Sequence, residues 1–320
     1  MVNLTEIKEA RSRLKGVSIH TPLLEFDHQK SGSRQLFLKP ENQQPIGAFK
    51  LRGAYNKIAS LSDKDRKRGV ITYSSGNHAQ GVAYAARALG VKAVIVMPQN
   101  APAIKRDATA ELGAEIVFVG PGSAERQSKA EELAAQNGYV IVPPYNDEQI
   151  IAGQGTIGLE ILEDMPDVET VFAPVGGGGM ISGVATAIKL SKPTVKIIGV
   201  EPELAGDARA SLRAGKIVQF PADEVVHTIA DGLRTQSVGA INFEHIRRYV
   251  DDIITVTEDE IRRAVRLLAA NPNTVAEPSG AVSVAGFLFH CDELPKTRVN
   301  VAVISGGNID PKMLEEFRRG

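Results

Sequence analysis

Two kinds of apolar pattern alternate along the chain. Short β-branched runs predict strands, and longer segments with apolar residues every three or four positions predict helices. The predicted strands cover residues 36–38, 70–73, 93–97, 115–119, 140–142, 170–175, 196–200, 253–256 and 300–304. Predicted helices include 76–89, 123–136, 155–164 and 180–190, and a capping box from Thr257 to Glu260 predicts one more, ending near residue 270. Strand and helix in repetition are typical of an α/β fold with doubly wound, open parallel sheets.

The order of these elements predicts two domains. The strands and helices between residues 69 and 146 can form a small sheet of their own, and the strands on either side of this block would form a larger one. We therefore expect two doubly wound parallel-sheet domains, a large one of residues 1–68 and 147–320 and a small inserted one of residues 69–146. No linker rich in Pro, Gly and Ser marks the boundary.

Composition narrows the class of protein. The 320 residues hold 37 Lys and Arg against 38 Asp and Glu, a formal net charge of −1, which argues against a nucleic-acid or membrane-surface partner. The lone Cys291 excludes an intrachain disulfide and a Cys-rich zinc site. The charged N-terminal segment and the lack of any apolar stretch of about 20 residues predict a cytoplasmic protein without a signal peptide or membrane span.

A run of four glycines follows the predicted strand 170–175 and precedes a predicted helix. These residues are Gly176, Gly177, Gly178 and Gly179, with Met180 next. Open parallel sheets bind ligands at the carboxyl ends of their strands, and glycine N–H groups there can converge on a phosphate or similar anion. The loop is neither a nucleotide P-loop nor a dinucleotide motif. A Gly-x-Gly-x-x-Gly pattern does occur at 153–158, but no strand directly precedes it, so we reject nicotinamide binding.

Three further positions carry polar groups where ligands can bind. Lys50 lies among small and apolar residues at a loop-to-helix junction, where desolvation would lower the pKa of an amine nucleophile; a solvated lysine packed on Phe49 is the alternative. The Ser-Ser-Gly-Asn-His segment at 74–78 can hold a carboxylate, or Ser75 is a plain N-cap. Ser305, after the last strand, caps a turn or donates to a ligand ring. We interpret His78 as structural, since no Gly-x-Ser-x-Gly motif accompanies it.

Several motifs follow one another in a specific order. They are Lys-Pro-Glu-Asn at 39–42, Gly-Ala-Phe-Lys-Leu-Arg-Gly-Ala at 47–54, Ser-Ser-Gly-Asn-His-Ala-Gln-Gly at 74–81, Ile-Ala-Gly-Gln-Gly-Thr at 151–156, the four glycines, Ala-Asp-Gly at 230–232, Glu-Pro at 277–278 and Ser-Gly-Gly-Asn at 305–308. This ordered set resembles the fold-type-II pyridoxal-phosphate enzymes, specifically the threonine/serine dehydratase and serine racemase group. The resemblance implies a tryptophan synthase β-like fold, pyridoxal 5′-phosphate as cofactor and a homodimer.

The resemblance also implies roles for cofactor-binding residues. Lys50 is similar to the lysine that forms a Schiff base with the cofactor, and Phe49 to the ring packed on the cofactor face. Asn77 would contact the phenolic oxygen and Ser305 the pyridine nitrogen. The four glycines at 176–179 and the amide of Met180 would hold the phosphate.

The substrate side is implied in the same way. The residues that would bind the substrate carboxylate are Ser74, Ser75, Gly76, Asn77 and His78. Arg126 would lie near the same carboxylate. Ser75 also occupies the position of the second base in serine racemases, so the resemblance leaves racemase activity open.

In the acidic segment 201–207, two of the three acids together with a bent backbone carbonyl can bind a hard cation such as Mg²⁺ or Ca²⁺; a solvated acidic loop is the alternative from the residues alone. The resemblance favours the cation. Glu201, the carbonyl group of Ala205 and Asp207 match a divalent-cation site, with Mg²⁺ expected first and Ca²⁺ or Mn²⁺ as alternatives. Such an ion would brace the large domain and take no part in the chemistry.

The function implied is the β-elimination of small β-hydroxy amino acids, which converts L-threonine and L-serine to a 2-oxo acid and ammonia. Serine racemase and 3-hydroxyaspartate dehydratase are the alternatives within the group. The expected partner is thus a small amino-acid substrate, with no nucleic acid and no membrane. A non-catalytic phosphate-ligand binding protein and a Rossmann-type redox enzyme are the alternatives from other classes.

Overall fold

The computed structural model describes residues 1–27, 34–74, 76–101, 103–120, 122–290 and 293–319. The strands in this part of the chain are β1 Leu24–Glu25, β2 Gln35–Pro40, β3 Val70–Tyr73, β4 Ala93–Pro98, β5 Glu115–Val119, β6 Val140–Ile141, β7 Thr170–Pro174, β8 Lys196–Pro202, β9 Asp252–Val256 and β10 Val299–Ile304. The helices are α1 Leu4–Leu14, α2 Lys50–Ala59, α3 Asp63–Arg68, α4 Asn77–Ala88, α5 Ala103–Glu111, α6 Ser123–Asn137, α7 Glu148–Asp164, α8 Gly179–Ser191, α9 Asp207–Ala214, α10 Ala222–Val225, α11 Ala240–Tyr249, α12 Glu258–Leu268, α13 Pro278–Phe289 and α14 Pro311–Arg319. Short 3₁₀ helices lie at Glu41–Gln43, Glu203–Ala205, Asp231–Leu233 and Pro272–Thr274.

The strands form two sheets. The larger sheet has the order β1-β2-β10-β7-β8-β9, and within it only the short β1 runs antiparallel to its neighbour. The smaller sheet has the order β5-β4-β3-β6 and is parallel throughout. The predicted α/β fold with open parallel sheets is therefore confirmed.

Apolar residues cover both faces of the larger sheet. Along β10, Ala302 and Ile304 belong to a core formed with α12 and α13, whereas Val301 and Val303 belong to a second core formed with α8 and α11. Successive side chains of a strand point to opposite faces, so this division follows from the uninterrupted apolar sequence of β10. No helix among the described residues has the length and apolarity that a membrane span requires.

All nine predicted strands are present, within one or two residues of the predicted bounds. The sequence pattern missed β1, because two residues at a sheet edge carry no readable alternation. The capping box at Thr257 is also confirmed, since its hydroxyl accepts from the N–H of Glu260 at the start of α12.

The predicted start of α7 at Gly155 was wrong. The helix begins at Glu148, because the side chain of Asp147 accepts hydrogen bonds from the N–H groups of residues 149 and 150. The glycines of the 153–158 pattern lie inside this helix and allow close packing. A Cβ atom on Gly153 would lie 2.6 Å from the carbonyl oxygen of Arg52 in α2. A Cβ atom on Gly183 of α8 would lie 2.3 Å from the carbonyl oxygen of Ile151 in α7.

Four charged side chains are buried together near the start of α2. Arg52, Lys39 and Glu41 are fully buried, and Glu160 of α7 is 5% exposed. The guanidinium of Arg52 lies 2.7 Å from a Glu41 oxygen and 2.6 Å from a Glu160 oxygen, and the ammonium of Lys39 lies 2.6 Å from the other Glu160 oxygen. We call this set the buried ion cluster. It ties the first turn of α2 to α7 and to the segment after β2.

Candidate active site

The loops that follow β3, β7 and β10 line one cleft of about 240 Å³. β7 and β10 are neighbours in the larger sheet, so their carboxyl ends meet at the same edge. The cleft brings together residues that the sequence predicted for cofactor and substrate: Phe49, Lys50, Ser74, Gly76, Asn77, His78, Arg126, Gly176, Gly177, Gly178, Gly179, Met180 and Ser305. Ser75, the predicted second base, lies outside the described residues. The roles of all these residues remain predictions.

Lys50 is the first residue of α2, as its position at a loop-to-helix junction predicted. The backbone N–H of Phe49 donates to the carbonyl of Ser305, which ties this junction to the end of β10. The Nζ atom of Lys50 donates to the carbonyl of Pro144 at 2.8 Å and lies 5.1 Å from the centre of the Phe49 ring. Burial lowers the pKa of Lys50 to about 8, so a substantial fraction of this amine is neutral near physiological pH.

The glycine loop forms the start of α8. Gly178 is the N-cap with a left-handed φ of 91°, and no side chain among the described residues caps this helix. A Cβ atom on Gly177 would lie 2.3 Å from Cδ1 of Tyr145, and one on Gly178 would lie 3.0 Å from Cβ of Asn242. The glycine loop and Met180 line the cleft at the positive end of the helix dipole, an arrangement that fits an anionic group.

Asn77, at the start of α4, takes part in a chain of hydrogen bonds at the cleft. Its Nδ2 donates to Oε1 of Glu277 at 2.5 Å, and its Oδ1 accepts from Nδ2 of Asn308 at 2.8 Å. Burial raises the pKa of Glu277 to about 7, with a further increase from the negative charge of Asp231. The Glu-Pro pair at 277–278 is one of the motifs that carry the resemblance, but the sequence predicts no role for it.

His78 and Arg126 lie on the small-sheet side of the cleft. Nε2 of His78 lies 3.0 Å from the carbonyl oxygen of Val142. Burial and the nearby Lys50 lower the pKa of His78 to about 3, so its imidazole is neutral at pH 7. Arg126 is partly buried, and burial lowers the pKa of its guanidinium. Arg126 lines the cleft, and its role toward a ligand carboxylate stays a prediction.

An ion pair that the sequence did not predict crosses the cleft. Lys105 of α5 lies 2.5 Å from a carboxylate oxygen of Asp231 in the 3₁₀ turn after residue 230, and both side chains line the cleft. Burial lowers the pKa of Lys105, but the charges of Asp231 and Glu277 outweigh it and the net shift is upward. The two residues are 126 positions apart and belong to no common motif, so only the folded structure reveals the pair.

The predicted cation-binding residues lie at the end of β8 and the start of α9. The oxygens of Glu201 accept from the N–H groups of Ala208 and Arg209, at 3.0 and 2.8 Å. Burial and the neighbouring carboxylate of Asp207 raise the pKa of Glu201 well above its ordinary value, and burial raises the pKa of Asp207 to about 7. Both oxygens of Asp207 are buried and have no hydrogen bond of normal geometry among the described residues. Two adjacent buried acids of this kind fit a cation.

A desolvated lysine amine and an uncapped helix start thus face the same cleft at the carboxyl ends of parallel strands. A neutral amine adds to carbonyl groups, and backbone N–H groups at a helix start bind phosphates. The site is therefore that of an enzyme class that holds an anionic, carbonyl-bearing cofactor through a lysine. The chain belongs to the family described as "Pyridoxal-phosphate dependent enzyme", whose sequence profile matches residues 16–306.

Three relatives illustrate this membership. The chain is 47% identical to L-threonine ammonia-lyase of Thermotoga maritima over 319 residues, which cover 99% of this chain and 78% of that protein. It is 42% identical to L-threo-3-hydroxyaspartate ammonia-lyase of Saccharomyces cerevisiae, with coverage of 96% and 93%. The structure of serine racemase from Dictyostelium discoideum matches with a TM-score of 0.90 at 37% identity, with coverage of 97% and 99%. The predicted family is confirmed.

Proposed function

We propose that this protein is a pyridoxal-phosphate-dependent ammonia-lyase that converts small β-hydroxy amino acids, L-threonine and L-serine first, to 2-oxo acids and ammonia. The observation that carries the proposal is the joint position of the Lys50 amine and the glycine loop in one cleft. The relatives support the reaction class, because L-threonine ammonia-lyase is 47% identical over nearly the whole chain.

The cleft fits pyridoxal 5′-phosphate. The N–H groups of the glycine loop and Met180 would hold its phosphate, and the ring of Phe49 would lie against it. Asn77 would donate to its phenolic oxygen. The hydroxyl of Ser305, which is buried and lies 3.4 Å from the carbonyl of Ser279, would contact its ring nitrogen. When bound, this cofactor withdraws electrons from the α-carbon of an amino acid.

The chain's own groups would then handle the substrate. The Lys50 amine would take a proton from the α-carbon, which its partly neutral state at pH 7 supports. The hydroxyl of Ser74 and the N–H groups at the start of α4 would hold the substrate carboxylate at the positive end of that helix. Arg126 would add a positive charge on the same side of the cleft.

Lysine chemistry provides the decisive test. Borohydride treatment of the protein loaded with pyridoxal phosphate should leave the cofactor attached to the peptide that contains Lys50 as a secondary amine, with a mass gain equal to that of the cofactor less one oxygen atom. Lys50→Ala should abolish both the adduct and 2-oxobutyrate formation from L-threonine. Lys57→Ala is the matched control, because Lys57 lies on the same helix and pairs with Asp147 outside the cleft. Activity of Lys50→Ala equal to that of the control would refute the proposal.

Two relatives keep other substrates in view, since one acts on L-threo-3-hydroxyaspartate and another is a serine racemase by name. Product analysis for 2-oxobutyrate, pyruvate, oxaloacetate and D-serine compares these activities side by side. No 2-oxobutyrate from L-threonine would refute the first choice. If D-serine forms, Ser75→Ala should abolish it and spare elimination from L-serine; equal loss of both would show that Ser75 is not a separate base.

We also propose that Glu201, the carbonyl of Ala205 and Asp207 bind a divalent cation, with Mg²⁺ as the first choice. The full burial of the neighbouring carboxyl groups of Glu201 and Asp207 supports this site. Mg²⁺ should raise the melting temperature of the wild type and leave that of Asp207→Ala unchanged. An equal rise in both proteins would contradict the site.

The quaternary and domain structure complete the proposal. We propose a homodimer, which sedimentation velocity tests directly.

We further propose that residues 69–146 form a small domain inserted in a large one of residues 1–68 and 147–320, in line with the separate sheets that these segments form. Limited proteolysis should then cut first near residues 69 and 146.

A further inference from the structure

Glu277 is a buried carboxyl group beside the cleft that the proposed reaction does not use. It is 3% exposed and occupies the N-cap position of α13, yet its side chain does not cap that helix. It accepts instead from Nδ2 of Asn77. A Cβ atom on Gly306 would lie 2.4 Å from Oε1 of Glu277, so the glycine leaves the space that this contact needs.

The hydrogen bonds around Asn77 allow only one orientation of its amide. Nδ2 of Asn308 donates to the carbonyl of Ile46 at 2.9 Å, and a carbonyl can only accept. The atom of Asn308 on this side must therefore be its nitrogen, Nδ2, which also donates to Oδ1 of Asn77. The nitrogen of Asn77 must then point to Glu277. A rotated Asn77 amide would place nitrogen against nitrogen at Asn308 and oxygen against oxygen at Glu277.

We propose that Glu277 is a positioning residue, which accepts one amide hydrogen of Asn77 and thereby directs the other into the cleft. This role of Glu277 rests on the proposed function, in which Asn77 donates to the phenolic oxygen of the cofactor. The charges of Asp231 and Lys105 act on the pKa of Glu277 in opposite directions, the first raising it and the second lowering it. A carboxyl oxygen accepts from Asn77 whether or not the group is ionised.

The test compares Glu277→Ala, Glu277→Gln and Ser283→Ala after loading with pyridoxal phosphate. Ser283→Ala is the matched control, since Ser283 is a buried residue of the same helix whose hydroxyl donates to Val303 away from the cleft. Glu277→Ala should shift the visible absorption band of the bound cofactor and lower kcat for L-threonine about tenfold, with KM within about twofold of wild type. Glu277→Gln keeps an acceptor oxygen and should restore both readouts to within about threefold.

A second variant approaches the same amide from the other side. Asn308→Ala removes the donor to Oδ1 of Asn77 and should change the absorption band in the same way as Glu277→Ala, even if the latter folds poorly. An unchanged band and kcat in Glu277→Ala, or an equal change in Ser283→Ala, would overturn the inference alone. A wild type that takes up no pyridoxal phosphate would overturn the proposed function and this inference with it.

Discussion

Arg52→Met tests how the start of α2 is held in place. The side chain of Arg52 is fully buried in the ion cluster and donates to both Glu41 and Glu160. Methionine keeps much of the side-chain volume but leaves these two buried carboxylates without their shared cation, and only Lys39 still pairs with Glu160. Removing one partner of a buried ion pair costs about 3–5 kcal/mol, so we expect the free energy of unfolding to fall by this amount.

Urea unfolding followed by circular dichroism measures this loss, with Arg11→Met as the control. Arg11 also pairs with a glutamate of α7, Glu163, but both side chains are 45% exposed. Exposed pairs contribute about 1 kcal/mol or less, so the control should lose little. A loss below about 1 kcal/mol for Arg52→Met, or equal losses in the two variants, would refute the view that burial makes this cluster essential.

Acid should act on the same cluster. Burial raises the pKa of Glu160, but Arg52 and Lys39 outweigh burial and hold this pKa below its ordinary value. A carboxyl group with a lowered pKa in the folded state stabilises the protein above its unfolded pKa of about 4.3, and this stabilisation is lost as the pH falls through the lowered value. Between about pH 5 and pH 3 the wild type should therefore lose more stability than Arg52→Met.

Three further predictions concern the cleft. With a pKa of about 8, about a tenth of the Lys50 amine is neutral at pH 7 and about nine tenths at pH 9. The initial rate at which the protein binds the cofactor, measured by absorbance, should therefore rise several-fold between these two pH values. A rate that does not change with pH would contradict the lowered pKa. Gly177→Ala would place a Cβ atom 2.3 Å from Tyr145 and should weaken cofactor binding at least about tenfold in a fluorescence titration, whereas Gly122→Ala, whose nearest contact is 3.7 Å, should not. Lys105→Met removes the ion pair with Asp231 across the cleft and should raise KM for L-threonine with little change in kcat; an unchanged KM would mean that the pair does not shape the substrate site.

Residues at strand ends and helix starts were the part of the site that the sequence predicted. Lys50, the glycine loop and Ser305 combine an unusual residue type with a position next to a predicted strand or helix start, and the structure places them in one cleft. Lys105 and Tyr145 were missed, because each reaches the cleft only through tertiary packing and neither belongs to a strand-end motif. The contact that Glu277 makes with Asn77 joins residues 200 positions apart, which no local pattern reveals.

The sequence predicted the strands and the fold class more accurately than the first and last residues of the helices. Continuous β-branched runs identify buried parallel strands, since both faces of such strands are apolar. The sequence pattern did not predict the first turns of α7. Only one capping residue, Asp147, marks the start of this helix, and the glycines inside it are typical of a turn. Those glycines are explained only by the helices that pack against them.

Gly153 and Gly183 bear on the distance between the two main groups of the cleft, the Lys50 amine and the glycine loop. Through them, α7 touches α2 on one side and α8 on the other by direct main-chain contact, and α2 and α8 are the helices that begin with Lys50 and with the glycine loop. The separation between the Lys50 amine and the glycine loop is therefore set largely by the diameter of the α7 backbone, since no side chain intervenes at these glycine contacts. We therefore expect replacement of the surrounding side chains to alter which substrate fits more than it alters the distance between these two groups.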